Sequence, residues 1–197
     1  MKILTVGDLH GDVNQAKKLA EKARQESVDL VVVNGDFTTM GNHTPGLFQA
    51  FTGVKNLAIL PGNHESAAVS DAMSQKYGAI HLHGYYKIFG DVGIVGCGSA
   101  NIGIFQLPED EIEYLLERGF NKIKNCKKKV MITHIHPFDT KIEVGLFEGS
   151  EAVRKIIEKF QPNLAICSHI HEADGIEDTI GNTKVICASK SGRILEI

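Results

Sequence analysis

Val33-Asn34-Gly35-Asp36 and Leu60-Pro61-Gly62-Asn63-His64-Glu65 are the two stretches that decide the fold of this chain. Each begins as a short apolar strand and ends in a polar loop that is turned by a glycine. Continuous apolar strands are typical of a parallel sheet that is buried on both faces. Ligands bind at the carboxyl ends of the strands in open α/β sheets, so we expect the functional side chains to lie in these loops.

The first eighty residues predict strands that alternate with helices, beginning with a right-handed strand–helix–strand unit. Asp12 is the predicted N-cap of the first helix, because the apolar residues after it recur at helical spacing. Asn63 also fits the N-cap of the second helix, an interpretation that is compatible with a ligand role. The predicted strands cover residues 2–6, 28–34 and 56–60, and the predicted helices cover residues 13–26 and 65–77.

The second half of the chain predicts a second set of strands and two further helices. Glycines break residues 79–99 into short strands, which indicates hairpins. Pro108 suits the first turn of one helix, and Ser150 is the predicted N-cap of the other. The absence of a linker or an internal repeat predicts one domain over residues 1–197. Helices are predicted at 108–120 and 151–160, and strands at 129–133, 163–167, 173–177, 183–188 and 193–197.

Composition excludes several classes of protein. The 197 residues are 43% hydrophobic and 23% charged, which suits one domain with a substantial core. The net charge of -3 argues against nucleic acid as a partner. No apolar run approaches the roughly 20 residues of a membrane helix, so we expect no membrane partner. Four widely spaced cysteines predict reduced thiols and a cytoplasmic location.

Five polar clusters each follow a predicted strand, and together they have the composition of a metal site. Residues i and i+2 of a strand point the same way, so a pair such as Asp8 and His10 is expected to aim at one centre. Carboxylate, imidazole and amide ligands suit manganese, iron, zinc or nickel. These clusters offer more than the four ligands that hold one such ion well, which favours two ions bridged by Asp36. The clusters are Asp8/His10, Asp36, Asn63/His64, His134 and His169/His171.

In this order, the motifs Asp-x-His, Gly-Asp, Gly-Asn-His-Glu, a lone His and His-x-His resemble the calcineurin-like metallophosphoesterase superfamily. The segments 133–137 and 169–173 are most similar to its small Icc-related archaeal and bacterial members. The resemblance implies an α/β fold, a four-layer α/β/β/α sandwich of two mixed sheets. It places the metal site at the carboxyl ends of the strands.

The resemblance also implies the role of each matching residue. Two divalent cations, with Mn²⁺ favoured over iron, zinc and nickel, would orient a bridging water or hydroxide that attacks the phosphorus. His64 would not bind metal; it would protonate the leaving alkoxide or donate to a phosphate oxygen. The first metal would be bound by Asp8, His10, Asp36 and His171, and the second by Asp36, Asn63, His134 and His169.

Three departures from the family pattern refine these expectations. Ser168 stands where glycine is usual, and serine fits only if the turn does not require a positive φ. His136 replaces the first of two prolines, which leaves open whether it, rather than His134, reaches the metal. Residues 35–41 lack the Asp and Arg of the protein phosphatase loop Gly-Asp-x-x-Asp-Arg-Gly. This difference favours a phosphodiesterase of small diesters, with a phosphomonoesterase or an inactive metal-binding scaffold as the alternatives.

Contacts with the substrate and with other chains are predicted less directly. The expected partner is a small-molecule phosphate ester, and the size of the chain and its glycine-rich hairpins permit a homodimer. His43 and His136 are the candidate substrate-binding residues. A loop histidine such as His43 is more often simply exposed, and His136 is equally compatible with a supporting contact behind the site.

Overall fold

Eleven strands form two mixed sheets in the computed structural model, which describes residues 1–197. Four strands of the first sheet run parallel, and the C-terminal strand pairs antiparallel with the N-terminal one. The parallel strands are short apolar runs, and three of them are almost fully buried. In spatial order this sheet contains Arg193–Glu196 (β11), Lys2–Val6 (β1), Leu30–Asn34 (β2), Leu57–Leu60 (β3) and Ile80–His81 (β4).

The second sheet has six strands, of which the four central ones are parallel. An antiparallel strand forms each edge, so hairpins close both sides of this sheet. In spatial order it contains Tyr86–Phe89 (β5), Val92–Cys97 (β6), Lys128–Thr133 (β7), Leu164–Cys167 (β8), Thr183–Cys187 (β10) and Glu177–Ile180 (β9).

Four α-helices and two short 3₁₀ segments connect the strands. The predicted caps Asp12 and Ser150 are confirmed, because their side chains accept the amides of Gln15 at 2.9 Å and Val153 at 3.1 Å. None of the helices combines the length and the apolar composition needed to cross a membrane. The helices are Val13–Gln25 (α1), Ala67–Tyr77 (α2), Glu109–Lys122 (α3) and Glu151–Phe160 (α4), and the 3₁₀ segments are Phe48–Phe51 and His171–Ala173.

Three apolar cores arrange these elements in four layers. One core lies between the two sheets and contains residues of both, such as Val32 and Ile166. The second joins α1 and the Phe48–Phe51 segment to the first sheet, and the third joins α3 and α4 to the second sheet. The predicted sandwich of two mixed sheets is therefore confirmed. All four cysteines are free thiols, and three of them are buried.

The predictions for three segments were wrong. Ser66, not Asn63, is the N-cap of α2, because its side chain accepts the amide of Val69 at 3.3 Å and the helix begins at Ala67. A strand was predicted at 173–177, but the chain turns there because Asp174 accepts the amides of Ser189 and Ser191. The strand begins only at Glu177. Pro108 is the N-cap of α3 instead of lying in its first turn.

Candidate metal centre

Polar side chains from five loops converge at the carboxyl ends of β1, β2, β3, β7 and β8. Parallel pairing aligns these ends, and backbone hydrogen bonds such as Asp8 N to Gly35 O (3.1 Å) and Ser168 N to His134 O (2.9 Å) continue between the loops. Three groups of side chains have potential ligand atoms within 4.8 Å of one another. These groups are Asp8/His10/His171, His10/Asp36/His64 and Asp36/His134/His169.

Asp36 occupies the centre of this arrangement. Its Oδ2 lies 3.4 Å from His134 Nε2, 3.9 Å from His64 Nε2 and 4.0 Å from His10 Nε2. Its Oδ1 accepts the backbone N–H of His64 at 2.9 Å. Burial raises the pKa of Asp36, but the charge and hydrogen bond of His134 outweigh burial and lower it. Asp36 is therefore ionised at neutral pH, and it belongs both to the group with His10 and His64 and to the group with His134 and His169.

Asp8 has one satisfied oxygen and one that is buried without a hydrogen-bond partner. Its Oδ2 accepts Ser189 Oγ at 2.5 Å and the His169 amide at 3.2 Å. Its Oδ1 lies 3.5 Å from His171 Nε2 and makes no hydrogen bond. Burial raises the pKa of Asp8, but His171, His134 and Ser189 lower it overall. An unpaired buried carboxylate oxygen beside an imidazole nitrogen is the arrangement that a bound cation would satisfy.

Two histidines are held by their Nδ1 atoms so that Nε2 faces the carboxylates. Nδ1 of His10 lies 3.1 Å from the carbonyl oxygen of Thr38, and Nδ1 of His134 lies 2.9 Å from that of Asn34. A carbonyl oxygen can only accept a hydrogen bond, so each Nδ1 carries a proton. In the neutral rings the Nε2 atoms are then the nitrogens with a lone pair available for a metal ion. Nε2 of His10 lies 3.3 Å from Nε2 of His171, and Nε2 of His134 lies 3.3 Å from Asn63 Oδ1.

Proton affinity at His134 also fits a cation site. Burial lowers the pKa of His134, but Asp36 and Asp8 reverse this effect and raise it to about 10. Burial and the charge of His134 lower the pKa of His169 to about 3. The ring of His134 therefore holds a second proton, which is directed at Asp36, while the ring of His169 stays neutral. A divalent cation replaces such a proton when it binds, so binding is expected to release protons.

Four of the clustered residues have left-handed backbone conformations, which corrects one argument from the sequence. Asp8, His10, Asp36 and His169 have φ values of 54°, 43°, 49° and 73°. The alternation of a strand therefore does not explain why Asp8 and His10 converge; the shape of the loop does. Ser168 itself has no positive φ, so serine is accommodated before His169.

Two glycines allow the loops to approach each other closely. A Cβ on Gly62 would overlap the carboxylate of Asp36, although the φ of Gly62 is not positive. A Cβ on Gly35 would overlap Nδ1 of His134, and Gly35 also has a φ of 80°. The glycines in the two opening motifs are therefore required because of space, and at Gly35 also because of backbone conformation.

The two candidate substrate-binding histidines lie outside the three ligand groups. His136 is fully buried, and neither of its ring nitrogens has a hydrogen-bond partner. His134, not His136, lies beside Asp36. His43 is half-buried, and its Nδ1 has no partner. Neither histidine is joined to the clustered residues by a hydrogen bond or an ion pair.

Two residues that support the candidate site are not apparent from the sequence. Glu65 is buried, and its Oε1 accepts the amides of Phe37 at 2.8 Å and Thr38 at 3.3 Å, which fixes the loop after Asp36. Burial raises the pKa of Glu65 to about 8. Ser189 is the other, and it holds Asp8 from 181 residues away. No local signal indicates Ser189, whereas the position of Glu65 within Gly-Asn-His-Glu could have suggested its role.

A cavity of about 190 Å³ adjoins the clustered side chains. Phe147, Ile170 and Glu172 line it together with His169 and His171. A cavity of about 230 Å³ lies near the opposite, amino end of β3, and no histidine or carboxylate lines it. The smaller cavity is therefore the one that can receive a ligand beside the candidate metal ligands.

The chain is similar to one family model and to three individual proteins. A family model described as calcineurin-like phosphoesterase matches residues 1–173. The uncharacterized protein MJ1162 of Methanocaldococcus jannaschii is 30% identical to this chain in an alignment of 201 positions, which covers 94% of this chain and 87% of that protein. The protein TT1561 of Thermus thermophilus has a TM-score of 0.77 at 17% identity, with 96% of this chain and 90% of that one covered. A dimetal phosphatase from Danio rerio has a TM-score of 0.58 at 14% identity, with 96% and 88% covered. The two solved structures support the fold alone.

Proposed function

The chain belongs to the calcineurin-like phosphoesterase family, and on this basis we propose that it is a dinuclear metal-dependent phosphodiesterase of small phosphodiesters. Family membership supports a hydrolase that acts on phosphoesters. The observation that carries the proposal is that two of the three ligand groups share Asp36 and that the third is joined to them through His10. A carboxylate shared between groups suits a centre with two cations.

The donor set assigns residues to each cation. Imidazole, carboxylate and amide donors favour a transition metal, and Mn²⁺ is our first choice. When bound, two such cations neutralise phosphoryl charge and lower the pKa of a coordinated water. The proposed ligands are Asp8, His10, Asp36 and His171 for one cation and Asp36, Asn63, His134 and His169 for the other.

His64 is the proposed proton donor to the leaving group. The backbone N–H of Met40 lies 3.3 Å from His64 Nδ1 and donates to it, so Nε2 carries the ring proton. This Nε2 lies 3.9 Å from Asp36 Oδ2, at the edge of the ligand cluster. The side chain is 26% exposed, which leaves it accessible to a substrate. A positioned imidazole N–H of this kind contributes about 10²- to 10⁴-fold to proton transfer.

The preference for a diester is supported by the absence of a cation where a monoester would need one. The loop from Phe37 to Leu47 contains no Lys or Arg. A phosphomonoester carries one more negative charge than a diester, and this loop offers no Lys or Arg to bind that charge. The missing charge partner therefore favours a diester.

Rates on matched chromogenic substrates test this preference. With the Mn²⁺-loaded protein, we expect kcat/KM for bis-p-nitrophenyl phosphate to exceed that for p-nitrophenyl phosphate. A higher value for the monoester would establish a phosphomonoesterase instead. His64→Gln is expected to retain manganese by elemental analysis and to lose at least about 100-fold in kcat. An inactive scaffold would hydrolyse neither substrate, and the presence of His64 argues against it.

A homodimer and a cytoplasmic location are further parts of the proposal. The edge strand β5 leaves one side unpaired, and Tyr86 and Ile88 on it are exposed. A second copy could cover this edge, because unpaired strands readily accept another chain. Light scattering of the wild type and of Ile88→Lys tests the dimer: the variant is expected to be monomeric. The free thiols support a reducing compartment.

A further inference from the structure

Exposed apolar side chains are concentrated around the candidate metal centre. Nine large hydrophobic residues are exposed in the whole chain, and five of them lie on three loops at the ligand-bearing edge of the sheets. The other four lie on or beside β5 and on α3. Clustered apolar exposure marks a binding surface more often than scattered exposure does. The five residues are termed the apolar rim: Met40, Ile102, Ile104, Leu146 and Phe147.

Two of the three loops are fixed directly to proposed site residues. The backbone N–H of Met40 donates to His64 Nδ1 at 3.3 Å. The amide of Phe105 donates to the carbonyl oxygen of Asn63 at 3.2 Å, and Gly103 lies so close that a Cβ there would overlap the Asn63 side chain. Ile102 and Ile104 flank this contact, 45% and 61% exposed. The backbone of both loops is therefore held next to the proposed proton donor and a proposed ligand.

The third loop contributes to the cavity itself. Phe147 lines the cavity of about 190 Å³ together with His169 and His171. Leu146 precedes it and is 97% exposed. Phe147 is half-exposed, so its ring can be covered further by a bound molecule. The cavity therefore joins proposed metal ligands to the apolar side chains of Phe147 and Ile170, and Glu172 is the one carboxylate that lines it.

Charge around the rim is as informative as its apolar character. Residues 37–47 and 98–107 contain no Asp, Glu, Lys or Arg. The third loop, residues 134–150, carries Asp139, Glu143 and Glu148, and its one Lys or Arg, Lys141, pairs with Asp178 at 3.7 Å. Lys190 pairs with Asp12 at 2.9 Å. No unpaired Lys or Arg on these loops is available for a second phosphate, as a nucleoside polyphosphate would require.

We propose that the apolar rim binds an uncharged hydrocarbon group, alkyl or aryl, of a phosphodiester whose single phosphoryl group lies at the metal centre. This substrate class rests on the proposed function and narrows it. Burying one methylene group strengthens binding by about fourfold, and burying two gives roughly fifteenfold. Rim side chains that are already half-exposed can contribute such burial without displacing the core.

A series of alkyl p-nitrophenyl phosphates tests the proposal, because all members share one leaving group. With Mn²⁺-loaded protein, we expect kcat/KM to rise at least about tenfold from the methyl to the hexyl ester, below the micellar concentration. Ile104→Ser and Phe147→Ser should reduce this ratio severalfold. Tyr114→Ser is the matched control, because Tyr114 is also 61% exposed but lies on α3. Equal rates on both esters, or the same loss in the control, would overturn the proposal.

A binding measurement separates this proposal from the proposed function. Hexyl and methyl methylphosphonate monoesters cannot release a chromophore, and calorimetry measures their affinity directly. If the protein hydrolyses no p-nitrophenyl ester, the proposed function fails, while tighter binding of the hexyl compound would still support the rim. Equal affinity would overturn it. If rim variants lower the molar mass in solution, the rim is a dimer interface. If the wild type sediments with phosphatidylcholine vesicles, the rim is a membrane contact. Either result, when affinity does not depend on the length of the alkyl chain, overturns the proposal.

Discussion

Replacing Ser189 by alanine removes one hydrogen bond and tests whether support from a distant part of the chain controls the metal centre. Ser189 is fully buried, and its Oγ donates to Asp8 Oδ2 at 2.5 Å. The backbone N–H of Ser189 is fixed by Asp174 at 3.0 Å, so the hydroxyl is held in place. Without it, Oδ2 retains only the His169 amide at 3.2 Å, and the carboxylate gains rotational freedom.

The expected effect follows from the kind of bond that is lost. A hydrogen bond to a charged group contributes about 1.5–3 kcal/mol. Loss of a contact that orients a metal ligand typically weakens metal binding by about 10- to 100-fold, which matches this range. The hydroxyl also contributes to the lowered pKa of Asp8, so its removal favours the protonated carboxyl, which cannot bind the cation. We therefore expect one Mn²⁺ site to weaken by about 10- to 100-fold.

Calorimetric titration of metal-free protein with Mn²⁺ at pH 7 measures this change. Ser191→Ala is the matched control, because Ser191 is an exposed serine of the same turn whose backbone N–H is also bound by Asp174. Thermal unfolding of both variants confirms that they fold. If Ser189→Ala binds both equivalents of Mn²⁺ within twofold of the wild type, Ser189 does not position Asp8 and the reasoning is refuted.

Three further substitutions test other contacts. Burial raises the pKa of Glu65 in the folded chain above its value in the unfolded chain, so the wild type loses stability as the pH rises from 5 to 8. In metal-free protein, the free energy of unfolding of Glu65→Gln should therefore increase relative to that of the wild type by on the order of 1 kcal/mol per pH unit over this range. Urea unfolding that shows no such trend contradicts this. The Lys55 ammonium and the Lys2 amide lower the pKa of Asp29, so the stability they add is present at neutral pH and is lost as the pH falls through the folded pKa. Asp29→Asn should therefore lower Tm by about 2–4 °C at pH 7 and progressively less towards pH 3, and a constant difference would exclude this ion pair as the cause. Gly62→Ala should destabilise the fold by about 1–3 kcal/mol and abolish Mn²⁺ binding, because its Cβ overlaps the Asp36 carboxylate; unchanged calorimetry would show that the loop has room.

Local patterns in the sequence predicted the features that depend on neighbouring residues. Asp12 and Ser150 were identified as caps because a cap acts three residues along the same chain. The apolar strands and the polar loops after them predicted the edge where the side chains meet, whereas the sandwich of two mixed sheets was implied by the family resemblance. Only the cap interpretation of Asn63 was wrong, because its polar side chain and the residues after it fit a cap as well as they fit a ligand.

Contacts between distant segments could not be predicted in the same way. Ser189 and Asp8 are separated by 181 residues, and nothing in either sequence segment indicates the other. The strand predicted at 173–177 failed for a similar reason, because Asp174 binds amides of Ser189 and Ser191 instead of continuing an extended chain. Convergence at the site was expected from strand alternation, but the left-handed loops produce it.

The left-handed backbone of Asp8, His10, Asp36 and His169 determines how this centre should be mutated. Alanine at these positions removes a proposed ligand and also adopts this conformation at a cost of roughly 1–2 kcal/mol, so loss of activity would have two causes. Asparagine adopts this conformation more readily and preserves the shape of aspartate. Asp8→Asn and Asp36→Asn therefore isolate the charge, and glycine at the same positions removes the whole side chain without backbone strain.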